Sequence, residues 1–394
     1  MNGGVTDMLK RVIAFLLAVI MYLMPWLHLP EKNVEEDPKA KYTNVFVHGL
    51  GGWGEEAPYY DIMPYWGMFG GDLMKYLNGQ GYPCVSADVT PGAGCWDRAC
   101  ELYAQLTGTR VDYGAAHAAR CHHARYGKTY KFQPILKTFD KDHPINLFGH
   151  SFGGATILQF LQLMHAGSAE ERAATTDGSL SDLFKGGKGD WIHAIVTLSA
   201  PMNGTTAYLV RDDINVDPDA TEEEKQVVFI LTNGTAAPRD GRIKEDSAEF
   251  DMYVDNAMAL CRSFETLPNV YYFSLPCQFV TQNPDGTYSP REKDMEPLFR
   301  AASRRIGRYT GVTPNGYVID ASWQMNDGLV NTKSAYAPLN APKKDFDRTN
   351  IEPGVWQVLP TIEGDHMYLM GGLLKHHPVR DIYLDLLQLV YTKP

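Results

Sequence analysis

Apolar positions along this chain fall into short runs separated by amphipathic stretches. Asn44 to Val47, Ile145 to Phe148, Trp191 to Leu198 and Val270 to Leu275 are compact apolar runs that read as buried strands. Between them the period changes: Ile157, Phe160, Leu161 and Met164 share one helical face. Val379, Ile382, Tyr383, Leu386, Leu387 and Val390 share another, in a helix expected to start just after Pro378 and to pack on the sheet. Strands alternating with helices predict an α/β domain with a mostly parallel central sheet flanked by helices.

A different pattern stands at the start of the chain. Lys10-Arg11 precede a nearly unbroken apolar run from Val12 to Leu29, and the acid-rich stretch Glu31 to Asp37 follows. Basic residues before and acidic residues after orient the rest of the chain outward. The run is close to the lower limit of ~17 to 20 residues for crossing a bilayer. Pro25-Trp26-Leu27-His28-Leu29-Pro30 is too bulky to offer a small-x-small cleavage site, so a signal peptide and a retained anchor both remain open. The expected organisation is residues 1–30 as signal peptide or membrane anchor, 31–41 as linker, and 42–394 as one folded domain, secreted or anchored with that domain outside the cytoplasm.

With 394 residues, 44% of them hydrophobic, one α/β domain with insertions accounts for the whole length. A net charge of −11 without any Lys/Arg-rich block argues against nucleic acid or an anionic membrane surface as the main partner. No protein partner is implied. The six cysteines (Cys84, Cys95, Cys100, Cys121, Cys261 and Cys277) are scattered and read mostly as buried thiols, with one bridge, such as Cys95 to Cys100, left open.

Chemistry enters with Gly149-His150-Ser151-Phe152-Gly153, a G-x-S-x-G motif between a strand and a helix. That context puts a serine in a strained turn, and flanking glycines let strand and helix approach closely. A hydroxyl needs a base, and in α/β-hydrolases the chain order is Ser, then Asp or Glu, then His. After His193 only His366, His376 and His377 remain. His366 follows the strand-like Val355 to Leu359, whereas His376-His377 abut Pro378 and read as surface residues. Asp327, in Asn326-Asp327-Gly328, is the candidate acid, although Asp-Gly alone is also an ordinary turn signal. Two N–H groups are needed for an oxyanion: Phe152 would supply one and Leu50, in His48-Gly49-Leu50-Gly51-Gly52, the other.

These residues resemble the lipases of thermophilic Bacillus and staphylococci, a zinc-containing branch of the bacterial lipases. The resemblance is carried by His48 to Gly54, by Tyr65-Trp66-Gly67 before Gly71-Asp72, and above all by Trp96-Asp97-Arg98-Ala99-Cys100 through Val111 to His117 and on to Tyr130. Pro201 to Thr206, Asn326 to Asn331 and Asp365-His366 extend it to the C-terminus. It implies an α/β-hydrolase fold with a small zinc-binding insertion, a Ser151, Asp327, His366 triad, and a structural zinc (Zn2+) held by Asp72, His117, His123 and Asp251. His122 then reads as a neighbour of the metal site or a surface residue. Two departures stand out. The family's calcium site uses acidic side chains after the catalytic histidine, but Met367 to Leu373 contains none, so that calcium site is expected to be absent. The segment from Thr206 to Asp251 is shorter than the family's lid. In it, Thr221 and Glu224 suggest a capping box before a helix bearing Val227 to Leu231, which fits a reduced lid or a plain core helix.

The implied activity is hydrolysis of carboxylic esters through an acyl-enzyme, with acyl lipids such as triacylglycerol as first substrates, met at a lipid–water interface. An open-site carboxylesterase or polyester hydrolase is the alternative. Transfer of the acyl group to an alcohol, or a noncatalytic surface protein, stands further behind.

Overall fold

The computed structural model describes residues 38–130, 134–233 and 244–391. The chain divides into two units, Met1–Lys41 and Tyr42–Pro394. In the first, Pro38–Ala40 forms a single 3-10 turn, and the apolar run Val12 to Leu29 lies outside the described residues. Among the described residues no helix is long and apolar enough to cross a membrane.

The second unit is built on seven strands: β1 (Thr43–Val47), β2 (Cys84–Ala87), β3 (Ile145–His150), β4 (Ile192–Leu198), β5 (Tyr271–Leu275), β6 (Lys343–Asp345) and β7 (Trp356–Val358). Their order is β6-β7-β5-β4-β3-β1-β2, and every neighbouring pair is parallel. Parallel strands need crossovers, supplied by α1 (Leu73–Gly79), α2 (Cys95–Thr107), α3 (Ala115–Cys121), α4 (Phe152–Ala166), α5 (Ala207–Val216), α6 (Glu222–Asn233) and α7 (Pro297–Ile306) among others, and α8 (Arg380–Tyr391) follows the last strand. Helices cover both faces, so the central strands are rich in apolar residues and deeply buried: β3 is buried at every position, Asn146 and His150 included. One core cluster joins Val45, Leu147 and Ile195 to Ile157 and Leu161 of α4; another joins Phe46, Phe148 and Val196 to Tyr383, Leu386 and Leu387 of α8.

The four strands expected from the apolar runs are present, with β3 two residues longer than Phe148. β2 and β6 were not foreseen; β6, Lys-Lys-Asp at the sheet edge, has no apolar pattern to read. All six cysteines are buried free thiols. Cys95 and Cys100 lie within one helix, α2. The capping box is formed, with Thr221 N–H donating to Glu224 Oε2 (2.9 Å) and Glu224 N–H to Thr221 Oγ (3.3 Å). α6 packs against α5 and α7, with Val227 and Leu231 buried.

Strand order reverses between β1 and β3, because the chain leaves β1 to one side for β2 and returns to the other for β3. The carboxyl ends of strands at such a point open a crevice that no crossover fills. The loops after β1 and β3 both enter it.

Candidate active site

Ser151 follows β3 directly and stands at φ 53°, ψ −129°, before α4 begins at Phe152. An L-residue at positive φ is strained, and the neighbours that force the turn are tight. A Cβ on Gly149 would lie 2.6 Å from Gly153 backbone, and one on Gly153 would lie 2.1 Å from the Val47 carbonyl. The two motif glycines therefore let β3, α4 and β1 meet at this corner.

The corner aims Ser151 Oγ at His366, whose Nε2 accepts its hydroxyl at 2.9 Å. On the other side, His366 Nδ1–H donates to Asp327 Oδ2 at 2.8 Å. Asp327 is fully buried and accepts three further hydrogen bonds: from Ser199 Oγ (2.8 Å), Leu329 N–H (3.0 Å) and Val330 N–H (2.8 Å). A carboxylate so engaged can only accept from the imidazole, which fixes the tautomer with Nε2 free to take the serine proton. Asp-Gly here is more than a turn signal: Gly328 stands at φ 113°, and a Cβ on it would strike Phe299 at 2.6 Å.

Further hydrogen bonds position the base. Gly49 N–H donates to Tyr65 Oη (3.0 Å), Tyr65 O–H donates to His150 Nδ1 (2.7 Å), and His150 Nε2–H donates to the His366 carbonyl (3.0 Å). His150 is fully buried, and burial drives its pKa well below the ordinary imidazole value, so it works as a neutral strut. His48 is likewise buried and lowered to about 3, first by burial and then by the Arg98 guanidinium. It donates from Nδ1 to the Gly49 carbonyl at 2.9 Å, while Arg98 donates to the His48 carbonyl.

In the loop after β1, Gly49 N–H goes to Tyr65, Gly51 N–H to the Pro91 carbonyl and Gly52 N–H to the Gly49 carbonyl. Leu50 lines the cavity beside Ser151. Phe152 N–H, in the first turn of α4, belongs to the amides that a helix leaves without an internal acceptor. The cavity over Ser151 and His366 is about 300 Å³ and overwhelmingly apolar, walled by Trp53, Met68, Tyr208, Leu231, Leu298 and Phe299 among others. Leu231 places α6 in its wall.

A second polar cluster lies at the start of α2. His117 Nε2 is 3.1 Å from Asp97 Oδ1 and 3.5 Å from Asp246 Oδ1; His123 Nε2 is 3.8 Å from Asp97 Oδ1 and 3.4 Å from Asp246 Oδ2. All four side chains are buried, and neither Nε2 makes a properly aligned hydrogen bond. A tetrahedral zinc with bonds of ~2.0 to 2.1 Å sets its ligand atoms about 3.3 to 3.4 Å apart, so this donor set fits that ion. His123 Nδ1–H donates to the Ala124 carbonyl (2.9 Å), leaving the Nε2 lone pair aimed inward. Cys121 belongs to the same group of potential ligands, but its Sγ lies 3.8 Å from His117 Nδ1, on the ring edge away from Asp97. The six-residue spacing of the histidines works because His122, exposed and at φ 59°, ends α3 and turns the chain back.

This corrects two of the four expected zinc ligands. Asp72 caps α1, accepting Lys75 N–H at 3.1 Å, and Asp251 accepts Cys95 N–H at 2.6 Å at the start of α2. Both carboxylates serve helix N-termini, where orphan N–H groups attract them. The carboxylates beside the two imidazoles are those of Asp97 and Asp246. Asp97 stands inside the Trp96 to Cys100 run, which was the available signal; Asp246 has no distinguishing neighbours in sequence. Ser199 is the other residue that sequence reasoning missed.

Against this geometry, a family model described as "Lipase-like, C-terminal domain" matches residues 40–222. The chain is 31% identical over 370 residues to a lipase of Staphylococcus hyicus, covering 86% of this chain and 55% of that protein. It is 33% identical over 385 residues to Lipase 2 of Staphylococcus aureus, covering 87% and 52%. The chain thus spans about half the length of these curated relatives. Among solved structures, EstA from Clostridium botulinum superimposes with a TM-score of 0.76 at 30% identity, covering 90% of this chain and 88% of that one. The crystal structure of Staphylococcus hyicus lipase gives 0.75 at 30% identity, covering 91% and 98%.

Proposed function

The chain belongs to the family of the staphylococcal lipases, and from that premise we propose that it hydrolyses carboxylic esters with Ser151 as nucleophile, His366 as general base and acid, and Asp327 as the group that orients His366. One observation carries the reading: the unbroken hydrogen-bonded line from Ser151 Oγ through His366 to a buried, fourfold-bonded Asp327, opening on an apolar cavity.

In this scheme His366 Nε2 takes the Ser151 proton as Oγ attacks the ester carbonyl. The N–H groups of Leu50 and Phe152 hold the resulting oxyanion, and the imidazolium returns its proton to the leaving alcohol. Water, activated by the same imidazole, then releases the acid from the acyl-enzyme. The wall from Trp53 to Phe299 binds the acyl chain and excludes competing water. Triacylglycerol or related acyl lipids at a lipid–water interface are the first substrates, with α6 in the position of a reduced lid. An open-site esterase acting on shorter acyl groups is the second reading. It is favoured by the cavity of about 300 Å³, at the small end of the ~300 to 1,000 Å³ usual for ligand sites.

Asp97, His117, His123 and Asp246 are proposed to hold zinc. Four protein ligands close a tetrahedral ion, which when bound would supply structural cross-linking. Export rests on the apolar segment at residues 12–29 in the sequence. Hydrolysis of p-nitrophenyl esters from acetate to palmitate, and of tributyrin and triolein emulsions, tests the whole reading beside a Ser151→Ala variant. Turnover abolished by that substitution supports it, and equal turnover in both proteins would refute it.

A further inference from the structure

Glu296, immediately before α7, is 1% exposed, and among the described residues no Lys, Arg or His nitrogen forms an ion pair with it. Its Oε1 instead accepts three successive backbone N–H groups, from Leu373 (3.1 Å), Leu374 (2.6 Å) and Lys375 (3.0 Å). Such a nest of amides compensates a buried negative charge, which would otherwise be too costly to desolvate. The Glu296 N–H donates to Asp365 Oδ2 at 2.8 Å, on the residue before His366. Lys375 answers from the far side, its Nζ donating to the carbonyls of Lys293 (2.6 Å) and Asp294 (3.1 Å). One four-residue stretch therefore grips both ends of the loop 365–375. That loop carries His366, Met367 and Leu373 to the cavity, and contains Gly371 and Gly372 at φ 97° and 82°. Paired glycines bring no side chains to anchor it.

We propose that Glu296 and Lys375 form a clamp between residues 293–296 and the loop 365–375 that sets the position of His366, making both positioning residues for the hydrolysis. The inference rests on the reading of Ser151, His366 and Asp327 given above. Because α7 starts at Pro297, the clamp also fixes Phe299, whose ring stands edge-on to His366 at 6.1 Å between centroids. Loosening it moves the base against the nucleophile, and a misplacement of ~1 Å is enough to lower turnover on the order of 100-fold.

The test uses the full chain with Glu296→Gln, Glu296→Ala and Lys375→Met variants. Active sites are titrated with a p-nitrophenyl alkylphosphonate, and p-nitrophenyl acetate is the substrate because its short acyl group makes least use of Leu373. Glu296→Ala is expected to lower kcat per titrated site roughly 10- to 100-fold while KM changes less than about threefold. Glu296→Gln, which keeps an acceptor oxygen, should fall between it and the wild type. Lys375→Met, at a half-exposed side chain, should lower kcat in the same direction. A purely structural role would reduce the number of titrated sites and the melting temperature but leave turnover per site unchanged. Unchanged turnover per site in all three variants overturns the clamp alone. A wild type that takes up no phosphonate at Ser151 overturns the hydrolase reading and the clamp with it.

Discussion

At the residue scale the site depends on how completely Asp327 is held. Asp327→Asn would present an amide where His366 Nδ1–H donates and favour the wrong tautomer, so kcat should fall by about 10⁴, as the corresponding change does in chymotrypsin-type serine proteases. Ser199→Ala removes one of four donors to the same carboxylate and should cost roughly tenfold, in line with one charged hydrogen bond. Steady-state kinetics on a soluble ester reads both. His48 supplies a pH dependence. Its folded pKa of about 3 lies below the unfolded 6.5, so its contribution to stability is complete above pH 6.5 and is lost as pH falls toward 3. The unfolded chain takes up the proton there and the folded one does not. Denaturant unfolding of the wild type should therefore lose up to about 1.4 kcal/mol per pH unit over that window relative to a His48→Asn variant. Equal slopes would show that His48 titrates normally. Ser151, Asp327 and His366 were legible because each is required by type and chain order around a strand–turn–helix signature. Ser199 was not, since a serine after a strand carries no mark of what its hydroxyl will face.

At the element scale the candidate metal cluster separates what spacing reveals from what folding decides. His117 and His123 do stand together, but the carboxylates beside them are Asp97 and Asp246 and not the expected Asp72 and Asp251, and nothing in the local sequence separates these aspartates. Only the first turn of α2, packed against α3, brings Asp97 to the imidazoles. Asp97→Asn and Asp246→Asn should lose zinc and lower the melting temperature, whereas Asp72→Asn should keep full zinc by elemental analysis. Asp72→Ala should cost only about 1 kcal/mol, the value of an N-cap. A zinc-free Asp72→Asn protein would restore the original assignment. The capping box at Thr221 was legible for the opposite reason: its residues satisfy one another locally, without help from the tertiary structure.

For the whole molecule, the α/β character followed from the apolar runs of the buried central strands. The edge strand β6, charged and half-exposed, leaves no such trace. Likewise β2, Cys-Val-Ser-Ala, holds one β-branched residue and a serine and forms no run of large apolar residues. The crevice between β1 and β3 is a consequence of strand order, which only long-range pairing fixes. Its small apolar cavity leads us to expect faster turnover per site on p-nitrophenyl butyrate and octanoate than on palmitate. Millimolar calcium should change neither rate nor melting temperature, since no carboxylate follows His366 through Leu373 to bind it.

The proposed role of Ser151 as a nucleophile activated by His366 is tested by peptide mass spectrometry after reaction with a p-nitrophenyl alkylphosphonate. A single adduct on Ser151 is expected in the wild type, lost in His366→Ala and accompanied by loss of ester hydrolysis in proportion to labelling. An unlabelled Ser151, or a labelled protein that still hydrolyses esters at full rate, would contradict it.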